Sequence, residues 1–113
     1  MKTSFRIPDS CKLSTAEQTR YADTQTIGEF GIDSFTLMEP AASSAARHLG
    51  ERTDDNKHGL YVCGKGNNAG DALAVARYLM NDRLHTVSIY FVFGEDDLSE
   101  DTAKNLALLR KLK

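Results

Sequence analysis

A glycine-rich stretch between a short apolar segment and a helical segment constrains the fold of this sequence most. Residues 59–63 are apolar and favour a strand, whereas apolar side chains in residues 72–81 recur with the spacing of a helix. A second apolar segment, residues 85–93, predicts another strand. Strand, helix and strand in this order form a βαβ unit, which is right-handed and parallel in nearly all proteins.

Two helices are predicted before this unit. Ser14 and Glu17 have the spacing of a capping box. The first helix should therefore begin there, extend to about Phe30 and be followed by Gly31 as its C-terminal glycine. Ser34 is expected to cap the second helix.

Further signals complete the predicted order. Pro40 lacks a backbone donor and should kink or interrupt the second helix, and Gly50 should end it. Asp97 or Ser99 should cap a last helix after the second strand. The order α-α-β-α-β-α indicates an α/β fold. Because parallel strands are normally buried on both faces of their sheet, two such strands are not expected to form a complete sheet. Four aromatic residues are interpreted as core side chains of the strands: Tyr61, Tyr90, Phe91 and Phe93.

The composition is that of a globular chain and excludes several function classes. Lys and Arg number 14 against 16 Asp and Glu, for a net charge of −2, so no basic surface for nucleic acid or anionic lipid is expected. No apolar run approaches the ~20 residues that span a membrane, and the N-terminus lacks the apolar core of a signal peptide. Cys11 and Cys63 form no metal-binding or disulfide pattern. A cytoplasmic protein without nucleic-acid or membrane partners is expected.

The glycine-rich stretch, residues 64–71, carries the chemistry of the sequence. It lies at the carboxyl end of a strand and before a helix, where backbone N–H groups favour an anion such as phosphate. The amides of Asn67 and Asn68 can donate to phosphate or ribose oxygens, and their carbonyl oxygens can bind a hard cation. Asp71 is expected to cap the helix or to accept from sugar hydroxyls. Three glycines are expected to adopt positive φ or to approach a ligand closely: Gly64, Gly66 and Gly70.

Two other interpretations of this stretch stay open. The glycines can simply make a tight connection between strand and helix. Alternatively, Gly64, Gly66 and Ala69 match the looser dinucleotide pattern GxGxx[GA]. The acidic partner of that pattern normally follows about 20 residues later. Glu95 and Asp96 follow Gly66 by 29 and 30 residues, which makes an ordinary dinucleotide site the weaker alternative.

The sequence around the glycines also resembles a known family. Residues 62–79 resemble the signature CGxGNNGGDGxxxARxL of NAD(P)H-hydrate epimerases, the YjeF-related N-terminal domain. Residues 31–39 resemble the GIPSxxLMENAG segment of that family. Residues 13–18 resemble its first helix, and residues 98–112 resemble the helix after its second strand. The resemblance extends in the right order over nearly the whole chain from Leu13.

The resemblance implies a three-layer α/β/α fold of Rossmann type, truncated here to its N-terminal half. It implies an isomerase that interconverts the R and S forms of hydrated NADH and NADPH, with potassium as cofactor. This repair reaction would feed an ADP- or ATP-dependent dehydratase, fused or separate. Asn68 matches the asparagine that contributes a ligand to the potassium ion. The segment that matches the family's substrate-binding stretch consists of Asn67, Asn68, Ala69, Gly70 and Asp71.

Several positions depart from the family pattern. Pro40 replaces the asparagine of MEN, Lys65 stands where proline is common, and Ala69 and Ala72 replace glycines. If position 69 needed positive φ, alanine would be strained there by ~1–2 kcal/mol. Lys65 is interpreted either as a phosphate contact or as an exposed lysine.

The family's later VDxxFGxG and DxPSG segments do not occur in these 113 residues. Those segments complete the potassium site and supply acid–base groups, so no catalytic residue is assigned. Residues 1–13 are interpreted as an N-terminal arm and residues 14–113 as the N-terminal part of the epimerase-like domain. The alternatives are a non-catalytic nucleotide-binding or interaction module and a dinucleotide-binding fragment of a dehydrogenase. Unpaired strand edges predict marginal stability or self-association, for example as a homodimer.

Overall fold

A computed structural model describes residues 13–112, so residues 1–12 of the predicted arm lie outside the described residues. The chain divides into two compact units, Met1–Ile32 and Asp33–Lys113, each treated by itself below. The predicted order of helices and strands is confirmed. The elements are α1 (Ala16–Gly28), α2 (Ser34–Arg52), β1 (His58–Cys63), α3 (Asn67–Arg83), β2 (Thr86–Phe91) and α4 (Glu100–Lys111).

The capping box of α1 is present, but it is shifted by one residue from the prediction. Thr15 rather than Ser14 is the N-cap, and its hydroxyl oxygen accepts a hydrogen bond from the Gln18 N–H at 3.1 Å. The Gln18 side chain accepts in turn from the Thr15 N–H at 2.9 Å. The helix ends at Gly28, before Phe30. Serine and threonine are both good N-caps, so the sequence pattern alone does not fix the choice.

Helix α2 also begins on a different cap from the predicted one. Asp33, not Ser34, is the N-cap, and its carboxylate accepts from the Thr36 N–H at 2.8 Å. Pro40 lies inside the helix without interrupting it, since α2 continues unbroken from Ser34–Arg52. A proline removes a single backbone donor, and the packing of this helix against α3 holds the turns on either side.

The ends of α2 and β2 also differ from the predicted positions. Gly50 does not end α2 but lies buried within it, where an added Cβ would come 2.9 Å from the Arg83 Nε. The glycine therefore allows close packing rather than terminating the helix. Strand β2 ends at Phe91, two residues earlier than predicted. Ser99, one of the two predicted caps, is the N-cap of α4.

The two strands form a parallel sheet, as predicted. Their register runs from the pair His58 and Thr86 to the pair Cys63 and Phe91. Side chains on one face of the sheet pack against α3 and α4. On the other face three large side chains are 60–66% exposed: Leu60, Val62 and Tyr90. The truncated α/β, Rossmann-like fold is confirmed, and residues 33–112 cover the sheet with helices on one face only.

Helix α3 occupies the centre of this unit. It packs against α2 on one side, through Ala42 and Ala46 against Ala74 and Leu79. On the other side Leu73 lies fully buried in a cluster that includes side chains of α4. The small alanines let the helices approach closely. None of the helices formed by residues 13–112 combines the length and apolarity that a membrane span requires.

Candidate functional site

The candidate site lies at the carboxyl edge of the sheet, where β1 passes into α3. The connecting loop is only residues 64–66, because α3 begins at Asn67. The predicted helix start at residue 72 is therefore wrong. The residues from Asn67 to Asp71 form the first turns of the helix. Gly66 is the N-cap, with extended backbone at φ −81° and ψ −173°.

The three glycines of the motif do not act through positive φ. Among the described residues, the glycines with positive φ are Gly31 and Gly94. A Cβ added at Gly64 or Gly66 would meet no atom within 4 Å, so the surface above both residues is open. Gly70 is different, since its added Cβ would lie 3.0 Å from the Thr102 Oγ1. The first two glycines therefore expose backbone, and the third lets helices pack.

Ala69 carries none of the strain that a positive φ would impose. It is the third residue of α3, and the non-glycine residues with positive φ in the described chain are Asn56 and Leu84. Its side chain is buried in the cluster that also contains Cys63 and Leu73. The methyl group that replaces a family glycine thus fills part of the core.

The first turn of α3 presents free donors. No side chain caps this helix, so the backbone N–H groups of Asn67 and Asn68 are open to a ligand. The side chains of both asparagines are exposed. An anion placed here would also meet the positive end of the helix dipole. The geometry suits an anion such as phosphate.

Asp71 does not cap the helix, contrary to the prediction, because it lies one turn inside α3. Its side chain is half-buried. Burial raises the pKa of this carboxyl above its ordinary value, because the charged form loses solvation.

A second loop, residues 92–98, lies beside the first. Its start is held by a hydrogen bond from the Val92 N–H to the Cys63 carbonyl at 3.0 Å. Its end is held by the Ser99 N–H, which donates to the Lys65 carbonyl at 3.0 Å. Thr102 of α4 donates through its hydroxyl to the Gly66 carbonyl, also at 3.0 Å. The two loops therefore form one continuous rim.

The structure brings Lys65, Asp97 and Phe93 together at the rim, which the sequence alone did not predict. The Lys65 Nζ lies 3.1 Å from a carboxylate oxygen of Asp97, 32 positions away in the chain. Phe93 is 70% exposed and stands under the same ammonium group, so its predicted place in the core is wrong. Tyr90, also predicted in the core, lies on the open face of the sheet. The alternation of side chains along β2 does not by itself show which face of the sheet the helices cover.

The acidic residues of the second loop are only partly paired. Glu95 binds Arg110 at 2.7 Å across the surface. Glu95 and Asp96, the acidic residues that the dinucleotide pattern singles out, are both exposed near the end of β2. Exposed pairs of this kind add little to stability.

Asn68 is the candidate potassium ligand among residues 13–112. Asn68 can supply one amide oxygen, whereas hard cations take several oxygen ligands. In residues 13–112 no three His, Cys, Asp or Glu side chains lie close enough together to hold a metal ion.

Cys63 closes β1 beneath the rim. Its side chain is buried, and burial raises the pKa of the thiol. A buried thiol with a raised pKa is a poor nucleophile. Cys63 is therefore a packed residue of the core.

Comparison with known proteins identifies the family. The sequence profile described as "YjeF-related protein N-terminus" matches residues 34–113, which include α2, both strands, the rim and α4. The chain belongs to this family. The resemblance seen in the sequence is thereby confirmed.

Curated relatives carry names of the same kind. The chain is 43% identical over 103 residues to a bifunctional NAD(P)H-hydrate repair enzyme Nnr of Salinibacter ruber, covering 88% of this chain and 18% of that protein. It is 37% identical over 97 residues to an NAD(P)H-hydrate epimerase of Weissella koreensis, covering 86% of this chain and 43% of that protein. An NAD(P)H-hydrate epimerase of Oenococcus oeni is 36% identical over 95 residues, covering 83% and 45%. The chain spans less than half the length of these relatives.

Proposed function

We propose that this chain is the nucleotide-binding part of an NAD(P)H-hydrate epimerase, which interconverts the R and S forms of hydrated NADH and NADPH. The observation that carries the proposal is the start of α3 at Asn67, where no side chain caps the helix and the first turn is open at the carboxyl edge of the sheet. Its sequence matches that of proteins named for this reaction. The substrate supplies phosphates, which the open N–H groups would hold.

The proposed roles follow the geometry of the first turns of α3. Asn67 and Asn68 would donate to phosphate or ribose oxygens from exposed side chains. Ala69 and Gly70 would complete the first turn that presents these donors, and Asp71 would accept from a sugar hydroxyl. Asn68 would also give one oxygen to a potassium ion. No step of the chemistry is assigned to that ion.

Epimerisation requires groups that move a proton at the hydrated carbon. Asp71 is one carboxyl with a raised pKa in the candidate site. The segments to which the resemblance assigns the acid–base groups, VDxxFGxG and DxPSG, do not occur in these 113 residues. We therefore assign binding, and no catalytic residue, to this chain. A non-catalytic nucleotide-binding module is the second candidate, and it differs from the first only in the outcome of the activity assay below.

Further partners belong to the same proposal. The product would pass to an ADP- or ATP-dependent dehydratase, fused or separate, and the name "bifunctional" of the Salinibacter ruber relative supports a fused one. A cytoplasmic location and a homodimer are proposed with it. The open face of the sheet, with Leu60 and Val62 more than 60% exposed, supports self-association. Sedimentation velocity over a range of concentrations tests for the dimer.

Calorimetric titration with NADPH tests the binding. We expect a saturable heat for the wild type and a weaker affinity for Asn68→Ala, which loses one amide. Asn81→Ala is the matched control, because Asn81 is an exposed asparagine at the opposite end of the same helix. Equal affinities for all three proteins would refute the assigned site, and the absence of any heat would refute binding altogether.

An NMR assay on the R form of hydrated NADPH tests the activity. It should be run on this chain and on a chimera in which residues 34–113 replace the matching segment of the Weissella koreensis epimerase. Epimerisation by the chimera, lost on Asn68→Ala, supports the epimerase. Binding by this chain together with an inactive, folded chimera favours the non-catalytic module.

A further inference from the structure

Phe93 is an exposed aromatic side chain at the rim of the site, and its position is fixed by backbone hydrogen bonds. It stands in a turn in which the Gly94 N–H donates to the Phe91 carbonyl at 3.2 Å. Gly94 closes the turn with φ +75°, a conformation that suits glycine. The preceding residue, Val92, is bonded to the Cys63 carbonyl. The ring is therefore held on a tight turn fastened to the end of β1.

An aromatic ring that is 70% exposed gains nothing from the core of this unit. Its neighbour is the Lys65 ammonium group, 5.9 Å from the ring centroid. Lys65 directly precedes Gly66, the N-cap of α3. The exposed ring, the cation and the open start of the helix thus follow one another along the rim.

The charges of the rim orient a nucleotide. Its phosphate is attracted by the N-terminus of α3 and by Lys65. It is repelled by the acidic residue Asp96 on the second loop, which can instead accept from ribose hydroxyls, whereas the charge of Glu95 is paired with Arg110. The base would consequently extend over the second loop, where Phe93 lies. Lys65 can leave Asp97 for a phosphate at little cost, because their side chains are 54% and 85% exposed.

We propose that Phe93 stacks on the adenine ring of the nucleotide while Lys65 binds its phosphate. Adenine is chosen over the other ring of the substrate because hydration leaves saturated carbons in the nicotinamide ring, which is then no longer a flat aromatic. Stacking between a base and an aromatic side chain provides affinity without base-specific hydrogen bonds. This inference rests on the proposed function and names the residues that recognise the two ends of an adenosine phosphate.

The test uses the full chain, which contains no tryptophan. Phe93→Trp places the single tryptophan of the chain at the rim, and AMP should quench its fluorescence with saturation. Tyr90→Trp, on the open face of the sheet, is the matched control and should not respond. Ribose 5-phosphate, which lacks a base, should bind without quenching Phe93→Trp. The hydrated, reduced form of nicotinamide mononucleotide, whose ring is likewise not a flat aromatic, distinguishes the two bases, and stronger quenching by it than by AMP would overturn the choice of adenine.

Affinities measured by calorimetry separate the two residues. Phe93→Ala should weaken AMP binding by about tenfold or more and leave ribose 5-phosphate binding unchanged. Lys65→Gln should weaken both ligands alike. Circular dichroism verifies that each variant is folded, and Phe93→Tyr should restore AMP binding because it keeps the ring.

The outcomes separate this inference from the proposed function. If the wild type binds AMP and Phe93→Ala binds it equally well, the stacking is refuted and the proposed nucleotide site stands. If the wild type binds neither AMP nor NADPH, both the stacking and the proposed nucleotide site are refuted. If Phe93→Ala changes only the sedimentation coefficient, Phe93 serves an interface and the stacking is refuted.

Discussion

Replacement of Gly70 by alanine tests whether this glycine serves the ligand or the fold. At an open position inside a helix the change would stabilise a protein by about 1 kcal/mol, because alanine is the better helix former. Here the new Cβ would lie 3.0 Å from the Thr102 Oγ1 and 3.1 Å from the Met38 Cε. Both distances are shorter than ordinary van der Waals contacts. Something in the interface of the three helices must move.

The neighbours differ in their freedom to move. Met38 is flexible, whereas Thr102 is fully buried and its hydroxyl donates to the Gly66 carbonyl and accepts from the Ser99 hydroxyl. Overpacking of this kind costs roughly 1–3 kcal/mol. Set against a gain of about 1 kcal/mol from helix propensity, it leaves Gly70→Ala less stable by up to about 2 kcal/mol.

Urea unfolding followed by circular dichroism measures the change. Gly64→Ala is the control, since its added Cβ meets no atom within 4 Å and its φ is not positive. It should lose no stability. Adding Met38→Leu to Gly70→Ala shortens one obstructing side chain and should recover part of the loss. If Gly70→Ala gains about 1 kcal/mol and loses NADPH binding instead, the glycine serves the ligand and the packing argument is wrong.

Three other predictions concern single groups. Glu39 accepts hydrogen bonds from Arg77 and from the Tyr78 hydroxyl, the latter at 2.8 Å, so Glu39→Gln should cost about 1.5–3 kcal/mol in urea unfolding. It should also lower the pKa of Tyr78, which the hydrogen bond to Glu39 raises above its ordinary value, and an unchanged ultraviolet titration would contradict this. The hydrogen bond from the Thr36 backbone lowers the pKa of Asp33. The ionised Asp33 carboxylate therefore stabilises the fold at pH values above the ordinary carboxyl pKa, and this stabilisation is lost as the pH falls through the lowered pKa. Asp33→Asn keeps a capping oxygen but should lose less stability in acid than the wild type, as thermal melts at several pH values would reveal. In a Cys11→Ser background, Cys63 should react slowly with a thiol reagent in buffer and rapidly in urea, and equal rates would show that burial does not protect it.

The sequence specified much of the fold and located the candidate site. Apolar periodicity predicted the order of elements, and the βαβ rule predicted the parallel pairing from His58 to Cys63. The resemblance identified the family that the profile over residues 34–113 confirms. These features are local or follow from the chirality of the chain, so they are readable without coordinates.

Element boundaries were less accessible, because neighbouring residues can serve equally well as caps. Thr15 and Asp33 cap helices one position away from the predicted residues. Helix α3 begins five residues early because its motif residues are compatible with both loop and helix. Gly50 and Gly70 resemble breakers in the sequence, yet both lie buried inside helices.

What the sequence by itself determined is a βαβ chain with a glycine-rich turn after its first strand and the family to which it belongs. Only the tertiary structure decided that Gly70 spaces three helices, that Phe93 is exposed, and that Lys65 meets Asp97 across 32 positions. The physical reason is that propensity and periodicity act between near neighbours. Steric contact and charge pairing depend on distances that exist only after the helices have packed on the sheet.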